Sequence, residues 1–216
     1  MGSRRQLTQK QRNLVIGTLL GDGYLQSTGS ENARLRIEHS AKQGFYTTWK
    51  YEQLRAFVTH TPVYLTRVNT VYQSSYHYAR FQTVTLPEFG LLQKLYYRHG
   101  TKVIPRIVED LLNNPLSLAV WYMDDGYFYR KDKNVHIYLS KYRKSDVRRL
   151  LLCLKRNFAL YPRFKVKKRG AERSLFFGVR ETKKLFALIS PFVVKGFEYK
   201  LPLDPVETTL TSFKSR

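Results

Sequence analysis

Val15-Ile16-Gly17-Thr18-Leu19-Leu20-Gly21-Asp22-Gly23 and Leu118-Ala119-Val120-Trp121-Tyr122-Met123-Asp124-Asp125-Gly126 are two runs of one design. Each is an apolar stretch of helical character that runs into an acidic residue and then glycine, a common stop signal for a helix. A single copy would read as an ordinary turn. Two copies form a repeat, and the repeat extends outward from them. Asp22 to Asp125 spans 103 positions (125 − 22), Ser40 to Ser140 spans 100 (140 − 40), and Lys102 to Lys200 spans 98 (200 − 102). Arg36-Ile37-Glu38-His39-Ser40 is matched by His136-Ile137-Tyr138-Leu139-Ser140, and Lys102-Val103-Ile104-Pro105 by Lys200-Leu201-Pro202. A near-constant offset over three independent landmarks predicts two pseudo-equivalent units, residues 1–112 and 113–216, joined near Leu111 to Asn114 without a flexible linker.

Local periodicity supplies the elements of each unit. Thr8 to Leu20 has helical spacing with Thr8 as N-cap, and Arg34 to Glu38 alternates, placing Leu35 and Ile37 on a core face. Lys42 to Phe57 returns to helical spacing; Pro62 to Val68 and Tyr76 to Thr85 read as strands, and Pro87 to Tyr97 as a helix. In the second of those strands Ala79 and Phe81 face inward, and Tyr78, Arg80 and Gln82 outward. The second unit starts at Asn114-Pro115, where Asn caps and the missing proline N–H is harmless. It continues with a strand Val135 to Ser140, a helix Ser145 to Phe158, strands Pro162 to Lys168 and Ser174 to Arg180, and a helix Thr182 to Phe192.

Charge narrows the function. The 216 residues carry 38 Lys and Arg against 16 Asp and Glu, a formal net charge of +22, yet 43% are hydrophobic and 14% aromatic, so the chain collapses rather than staying disordered. Membrane binding would gather the cations on one amphipathic helix, whereas here they are spread along the chain among 16 Tyr. Nucleic acid fits that distribution, because alternating Tyr and Arg on a sheet meet phosphates and base edges together. The apolar runs fall short of the ~20 residues that cross a bilayer, and the N-terminus lacks a signal peptide's apolar region. Cys153, the single cysteine, excludes an intrachain disulfide and a Cys-rich zinc site, and its Leu-rich surroundings predict a buried thiol.

If the two apolar helices pack side by side, Asp22 and Asp125 meet at their C-terminal ends, where the helix dipoles are also negative. Such an arrangement calls for a cation, and hard oxygen donors suit Mg²⁺. Paired carboxylates beside a phosphate-binding surface imply phosphodiester hydrolysis, and Lys102 and Lys200 stand at matching places to meet the charge that develops.

At these residues the chain resembles the single-chain, two-motif LAGLIDADG homing endonucleases, in motif order, unit length, Lys-x-Ile-Pro and the Tyr199-Lys200-Leu201-Pro202 ending. The resemblance implies an α+β fold of two pseudo-symmetric αββαββα halves, with the motif helices packed at their interface and two antiparallel sheets forming a saddle over duplex DNA. It implies Asp22 and Asp125 as catalytic, metal-binding residues, and the backbone carbonyls of Gly21 and Asp124 as completing the metal shell. Lys102 and Lys200 match the basic residues near the scissile phosphates. It further implies a monomer that cuts a long asymmetric site with Mg²⁺, with Mn²⁺ able to substitute and Ca²⁺ permitting binding without cleavage. Thr18, Val120 and Trp121 depart from the motif, so small-residue packing cannot run the whole length of the interface; Arg36 and His136 stand where relatives often carry Gln.

For DNA contact the outward strand positions are Arg34, Arg36, Glu38, Arg67, Tyr78, Arg80 and Gln82, then His136, Tyr138, Arg163, Lys165 and Lys167, with Lys168 and Arg169 as phosphate contacts at a turn. His39, His60, His77, His99 and His136 show no paired ligand spacing, which disfavours a His-metal nuclease, and Glu-x-Lys tripeptides at Glu181 and Glu198 are of a kind that arises by chance. Rival readings are an intron maturase that binds RNA on the same scaffold and a DNA-binding regulator with a degenerate site. Both acidic residues being intact favours the nuclease, and no nucleophile motif suggests a small-molecule substrate. Such a protein belongs with its target genome, in a mitochondrion, a chloroplast or a prokaryotic cell.

Overall fold

The computed structural model describes residues 6–139, 142–166 and 172–202. The first unit runs α1 (Gln9–Leu20), β1 (Tyr24–Ser27), β2 (Ala33–Ser40), α2 (Gly44–Leu54), β3 (Val63–Asn69), β4 (Ser74–Gln82) and α3 (Pro87–Tyr96). A two-stranded hairpin, β5 (Tyr97–Arg98) and β6 (Thr101–Lys102), and the short α4 (Val108–Leu111) follow. The succession then recurs as α5 (Pro115–Asp125), β7 (Gly126–Tyr129), β8 (Asn134–Leu139), α6 (Lys144–Phe158), β9 (Arg163–Val166), β10 (Arg173–Phe177) and α7 (Val179–Ile189). The two four-stranded antiparallel sheets have the same order, β1-β2-β4-β3 and β7-β8-β10-β9. Ser140 and the end of the strand expected to reach Lys168 lie outside the described residues.

Local chemistry accounts for most boundaries. Thr8 and Gln11 form a reciprocal capping box on α1, and the Asn114 side chain accepts the Leu116 N–H ahead of Pro115 on α5. In α6, Val147, Leu150, Leu154 and Phe158 line a buried stripe, and the helix ends at Ala159 in the left-handed region, φ 52°. Two differences from the sequence reading stand out. The expected helix Lys42 to Phe57 is α-helical only over Gly44–Leu54, flanked by single 3₁₀ turns, and Phe192 likewise ends in a 3₁₀ turn beyond α7. The short strands β1 and β7, which carry weak patterns of their own, form because each pairs with the strongly alternating β2 or β8.

The two motif helices pack against each other at the centre of one continuous core. Contact is closest at glycine: a Cβ on Gly17 would lie 2.3 Å from the Ser117 carbonyl oxygen and 2.7 Å from the Val120 Cβ, and one on Gly21 would lie 2.5 Å from the Asp124 Cβ. The Ser117 hydroxyl donates across the same crossing to the Asn13 carbonyl, 2.8 Å. Val120 and Trp121, the departures from the motif, are wholly buried, and the glycines of α1 supply the space that Val120 fills. Gly17→Ala is therefore expected to destabilise by about 1–3 kcal/mol, since the obstructing atom is backbone and cannot swing aside. Urea unfolding measures it, and an unchanged midpoint would contradict this packing.

Candidate active site and nucleic-acid interface

The helix crossing delivers an acidic cluster. Asp22 follows the C-terminus of α1 and Asp124 and Asp125 end α5, so carboxylates from both units collect where two helix dipoles point negative. Asp22 is about half exposed, and its Oδ2 lies 3.3 Å from the buried His39 Nδ1, while its backbone N–H donates to Asp124 Oδ2, 3.2 Å. Asp124 is held by the Lys50 ammonium at 2.8 and 3.1 Å, with both side chains fully buried. Donor atoms of Asp22, His39 and Asp124 all lie within 4.8 Å of one another, a spacing that a metal ion could span.

Two further ammonium groups enter from opposite sides. Lys102 Nζ donates to the carbonyls of Gly21, 2.6 Å, and Gly23, 2.9 Å; Lys200 Nζ donates to the carbonyl of Met123, 2.6 Å. Tyr122 hydroxyl caps the Lys200 carbonyl and fixes that turn. The charges act on one another. Burial, then the charges of Asp22 and Asp124, push Asp125 up to about 8, with Lys102 working the other way. Burial also pushes Asp22 up, but the hydrogen bond and charge of His39, with Lys50 and Lys102, outweigh it and leave Asp22 below its ordinary value. Burial draws Lys102 down to about 8 against the pull of Asp125, Asp124 and Asp22, and lowers Lys200 too.

The outer faces of the sheets flank this cluster in the fold's two halves. In the first, the register places Gln26 opposite Arg34, Tyr24 and Gln82 opposite Arg36, Arg80 opposite Glu38, and Tyr76 opposite Arg67. Arg67 bridges to Glu38 at 3.2 Å and lies over the Tyr78 ring at 4.9 Å. In the second, Tyr127 and Phe176 stand opposite His136, Ser174 opposite Tyr138, and Arg163 opposite Phe176. Lys165 Nζ sits 3.4 Å from the Phe176 ring centre, and His136 Nδ1 lies 2.9 Å from the Ser174 hydroxyl. Arg36 and His136 hold the same register place in the two sheets, so one face is mainly guanidinium and amide while the other is aromatic overlaid by cations.

Residues 12–185 match the LAGLIDADG DNA endonuclease family. The chain belongs to that family. Among curated relatives, a RecA protein of Mycobacterium gastri is 31% identical over 214 residues, covering 91% of this chain and 48% of its own length. The cytochrome b mRNA maturase bI2 of Debaryomyces hansenii is 24% identical over 203 residues, 91% of this chain and 75% of its own. This LAGLIDADG chain thus spans about half the length of the RecA relatives it matches. Among solved structures, the homing endonuclease I-WcaI bound to its DNA recognition sequence superposes with a TM-score of 0.83 at 23% identity, covering 93% of this chain and 89% of that one, so the two share a fold.

Within the LAGLIDADG frame, Asp22, Asp125, Lys102 and Lys200 come together as the motif spacing anticipates. The Gly21 carbonyl accepts the Lys102 ammonium, and Asp124 contributes, besides its backbone carbonyl, a buried carboxylate paired with Lys50. The histidines lack paired spacing in sequence, yet the fold sets His39 against Asp22. Arg34, Arg36, Glu38, Arg67, Tyr78, Arg80 and Gln82 share one outer face, as do His136, Tyr138, Arg163 and Lys165 on the other sheet. Tyr78 is nonetheless buried, because Arg67 and the stacked Tyr76 cover it, so it supports those neighbours rather than standing free. Lys167, Lys168 and Arg169 lie outside the described residues. Cys153 is buried and donates to the carbonyls of Val108 and Leu112, with its thiol pushed by burial up to about 12.

Sequence reading missed Lys50 and His39. Both leave a signal: a polar residue in the apolar phase of an element, His39 in step with Leu35 and Ile37 on β2, Lys50 in step with Tyr46 and Leu54 on α2. Tyr24, Gln26, Tyr127, Tyr129 and Phe176 were missed because the outer face of a short strand is recognisable only from its partner's register.

Proposed function

We propose that the chain is a site-specific, divalent-metal-dependent double-strand DNA endonuclease that acts as a monomer. One observation carries this reading: carboxylates from both motif helices converge with two lysines, Lys200 buried and Lys102 half-buried, between two sheets whose outer faces are cationic and aromatic. The donor set fits Mg²⁺, because carboxylate and carbonyl oxygens, hard donors, gather here, and burial together with the neighbouring Asp22 and Asp124 charges raises Asp125. Asp22 and Asp125 would hold the ion, which supplies an activated water and countercharge for the leaving oxygen when bound.

The chain's own residues perform the rest. His39 and the Asp124 carboxylate fix the Asp22 turn, Lys50 keeps Asp124 neutralised, and Lys102 and Lys200 set positive charge at the two sides of the cluster. With its pKa near 8, Lys102 can hold or release a proton at Nζ close to neutral pH. The unlike sheet faces suit an asymmetric target, each reading its own half-site in the major groove. Among the described residues no helix is long and apolar enough to cross a membrane. The compartment proposed is the one that holds its target DNA.

Cleavage selection on a randomised or genomic duplex library tests the reading. Recurrent cuts at one long sequence with Mg²⁺, and binding without cuts in Ca²⁺, are expected. Tight binding to intron RNA with no DNA cleavage would instead support the maturase role, which the bI2 relative favours. Arg80→Ala is expected to relax preference at one or two base positions by about 1–3 kcal/mol, read from the same selection. Metal affinity carries a pH signature. Below about 8 an ion at Asp125 must displace a proton, so apparent Mg²⁺ affinity rises with pH and levels off above it. Calorimetric titration between pH 6 and 9 checks this, and Asp125→Asn is expected to weaken binding and reduce the slope, with Lys102 left as a second group that titrates near 8.

A further inference from the structure

The two sides of the acidic cluster at the C-terminal end of the central helix pair are not alike. Beside Lys200, Phe45 at the start of α2 packs on Phe197, ring centres 5.2 Å apart, and fills the space over Gly196, where a Cβ would lie 2.7 Å from the Phe45 ring. The repeat offsets locate the mates of these residues. Phe197 less 98 is His99, by the offset of Lys200 to Lys102, and Phe45 plus 100 is Ser145, by the offset of Ser40 to Ser140. At that mate position there is no aromatic pair. His99 and Ser145 instead line an open cleft of about 460 Å³ between the β5–β6 hairpin and the first turn of α6.

The lining of the cleft is cationic. Arg98, Lys102, Arg106, Arg143 and Arg149 border it with one carboxylate, Asp146, and that one is already taken by Arg149, which also donates to the Ile104 carbonyl at 3.0 Å. Among the described residues, no ion pair joins Arg98, Arg106 or Arg143 to an acid. Guanidinium groups bordering an open recess match the oxygens of a phosphate. Lys102 links the recess to the acidic cluster, since it lines the cleft while its ammonium sits on Gly21 and Gly23. The hairpin turn is backbone-constrained: His99 and Gly100 both lie at positive φ, 49° and 73°, as a two-residue type I′ turn requires, although His is a strained choice there.

We propose that this cleft seats a backbone phosphate of the bound nucleic acid next to the one that Lys102 serves, giving one side of the acidic cluster a sequence-independent clamp that the other side, plugged by Phe45 and Phe197, lacks. The inference rests on the nucleic-acid reading above. It goes beyond the sheet faces, because none of the cleft's cations lies on either four-stranded sheet.

Duplex binding in Ca²⁺, followed by anisotropy over a range of salt, separates the possibilities. Neutralising one phosphate contributes about 0.9 to the slope of log affinity against log salt. Arg98→Ala with Arg143→Ala is expected to lower that slope by roughly 1, equally for the selected target and for random duplex, with base preference unmoved. His99→Phe with Ser145→Phe, which copies the aromatic plug while keeping every cation, is expected to give the same loss, with thermal melts confirming that each variant folds. Unchanged slopes in both variants, with normal binding by the parent chain, would overturn the clamp and leave the nuclease reading standing. A parent chain that binds no duplex would remove the reading beneath it. Binding of inorganic phosphate that depends on Arg98 and Arg143, without any change in duplex slope, would assign the cleft to a free anion and also overturn the proposal.

Discussion

Asp125→Asn is expected to abolish cleavage and, at the same time, to stabilise the metal-free protein at alkaline pH. On the proposed metal-dependent mechanism either change would delete a ligand, so Asp22→Asn and Asp125→Asn should each lower the rate on the order of 10³-fold or more, with duplex binding in Ca²⁺ retained. Stability distinguishes the two. Asp125 titrates near 8 in the folded chain against an ordinary 3.8, so below about pH 4 it is protonated in both folded and unfolded states and contributes nothing. Between those values the unfolded chain releases a proton that the folded chain retains, and stability falls as pH rises, the loss being complete near 8. Asn imitates the protonated acid and escapes that loss. Asp22 is shifted the opposite way, so its contribution is present at neutral pH and disappears only as pH falls through its depressed pKa. Thermal melts of the parent and both variants from pH 4 to 9, without metal, should therefore diverge upward for Asp125→Asn alone. A parent whose melting temperature is flat across that range would contradict the burial of Asp125 beside Asp22 and Asp124.

Lys50→Met is expected to destabilise by about 3–5 kcal/mol, because it strands the buried Asp124 carboxylate without its partner. At this chain length that corresponds to a fall in melting temperature of roughly 10 °C. Asp124→Asn alone should be destabilising for the reciprocal reason, since the Lys50 ammonium would lose its countercharge. The double variant should recover much of either loss, because a buried ion pair replaced as a unit is often near neutral. Function responds separately, since Asp124 Oδ2 also receives the Asp22 backbone N–H and so orders the turn that carries the acid. The double variant is thus expected to fold well yet cleave more slowly. Additive losses in the stability cycle would show that the two groups do not interact as their 2.8 Å contact requires.

Much of this architecture was legible from one-dimensional regularities. The two acidic motifs, their spacing and the alternation of β2 and β4 sufficed for helix order and for the outward faces carrying Arg34, Arg36, Arg80 and Gln82, since period and capping are local properties of the chain. The same alternation misled where burial arises from neighbours: Tyr78 is on the outer face by phase yet covered by Arg67 and Tyr76. His39 and Lys50 were hidden for a related reason. A polar residue on an apolar phase becomes meaningful only when its partner is known, and Asp22 and Asp124 are distant in sequence.

By itself the sequence determined the repeat, the pair of motif helices with their terminal acids and the cationic strand faces, because each follows from composition and short-range period. Tertiary structure alone decided that Lys50 pairs with Asp124, that Lys102 donates to the Gly21 carbonyl, and that one side of the acidic cluster is plugged by Phe45 and Phe197 while the other opens into an arginine-lined cleft. Those outcomes depend on which side chains a closely packed helix crossing brings within 3 to 5 Å of each other, and no spacing along the chain encodes that distance.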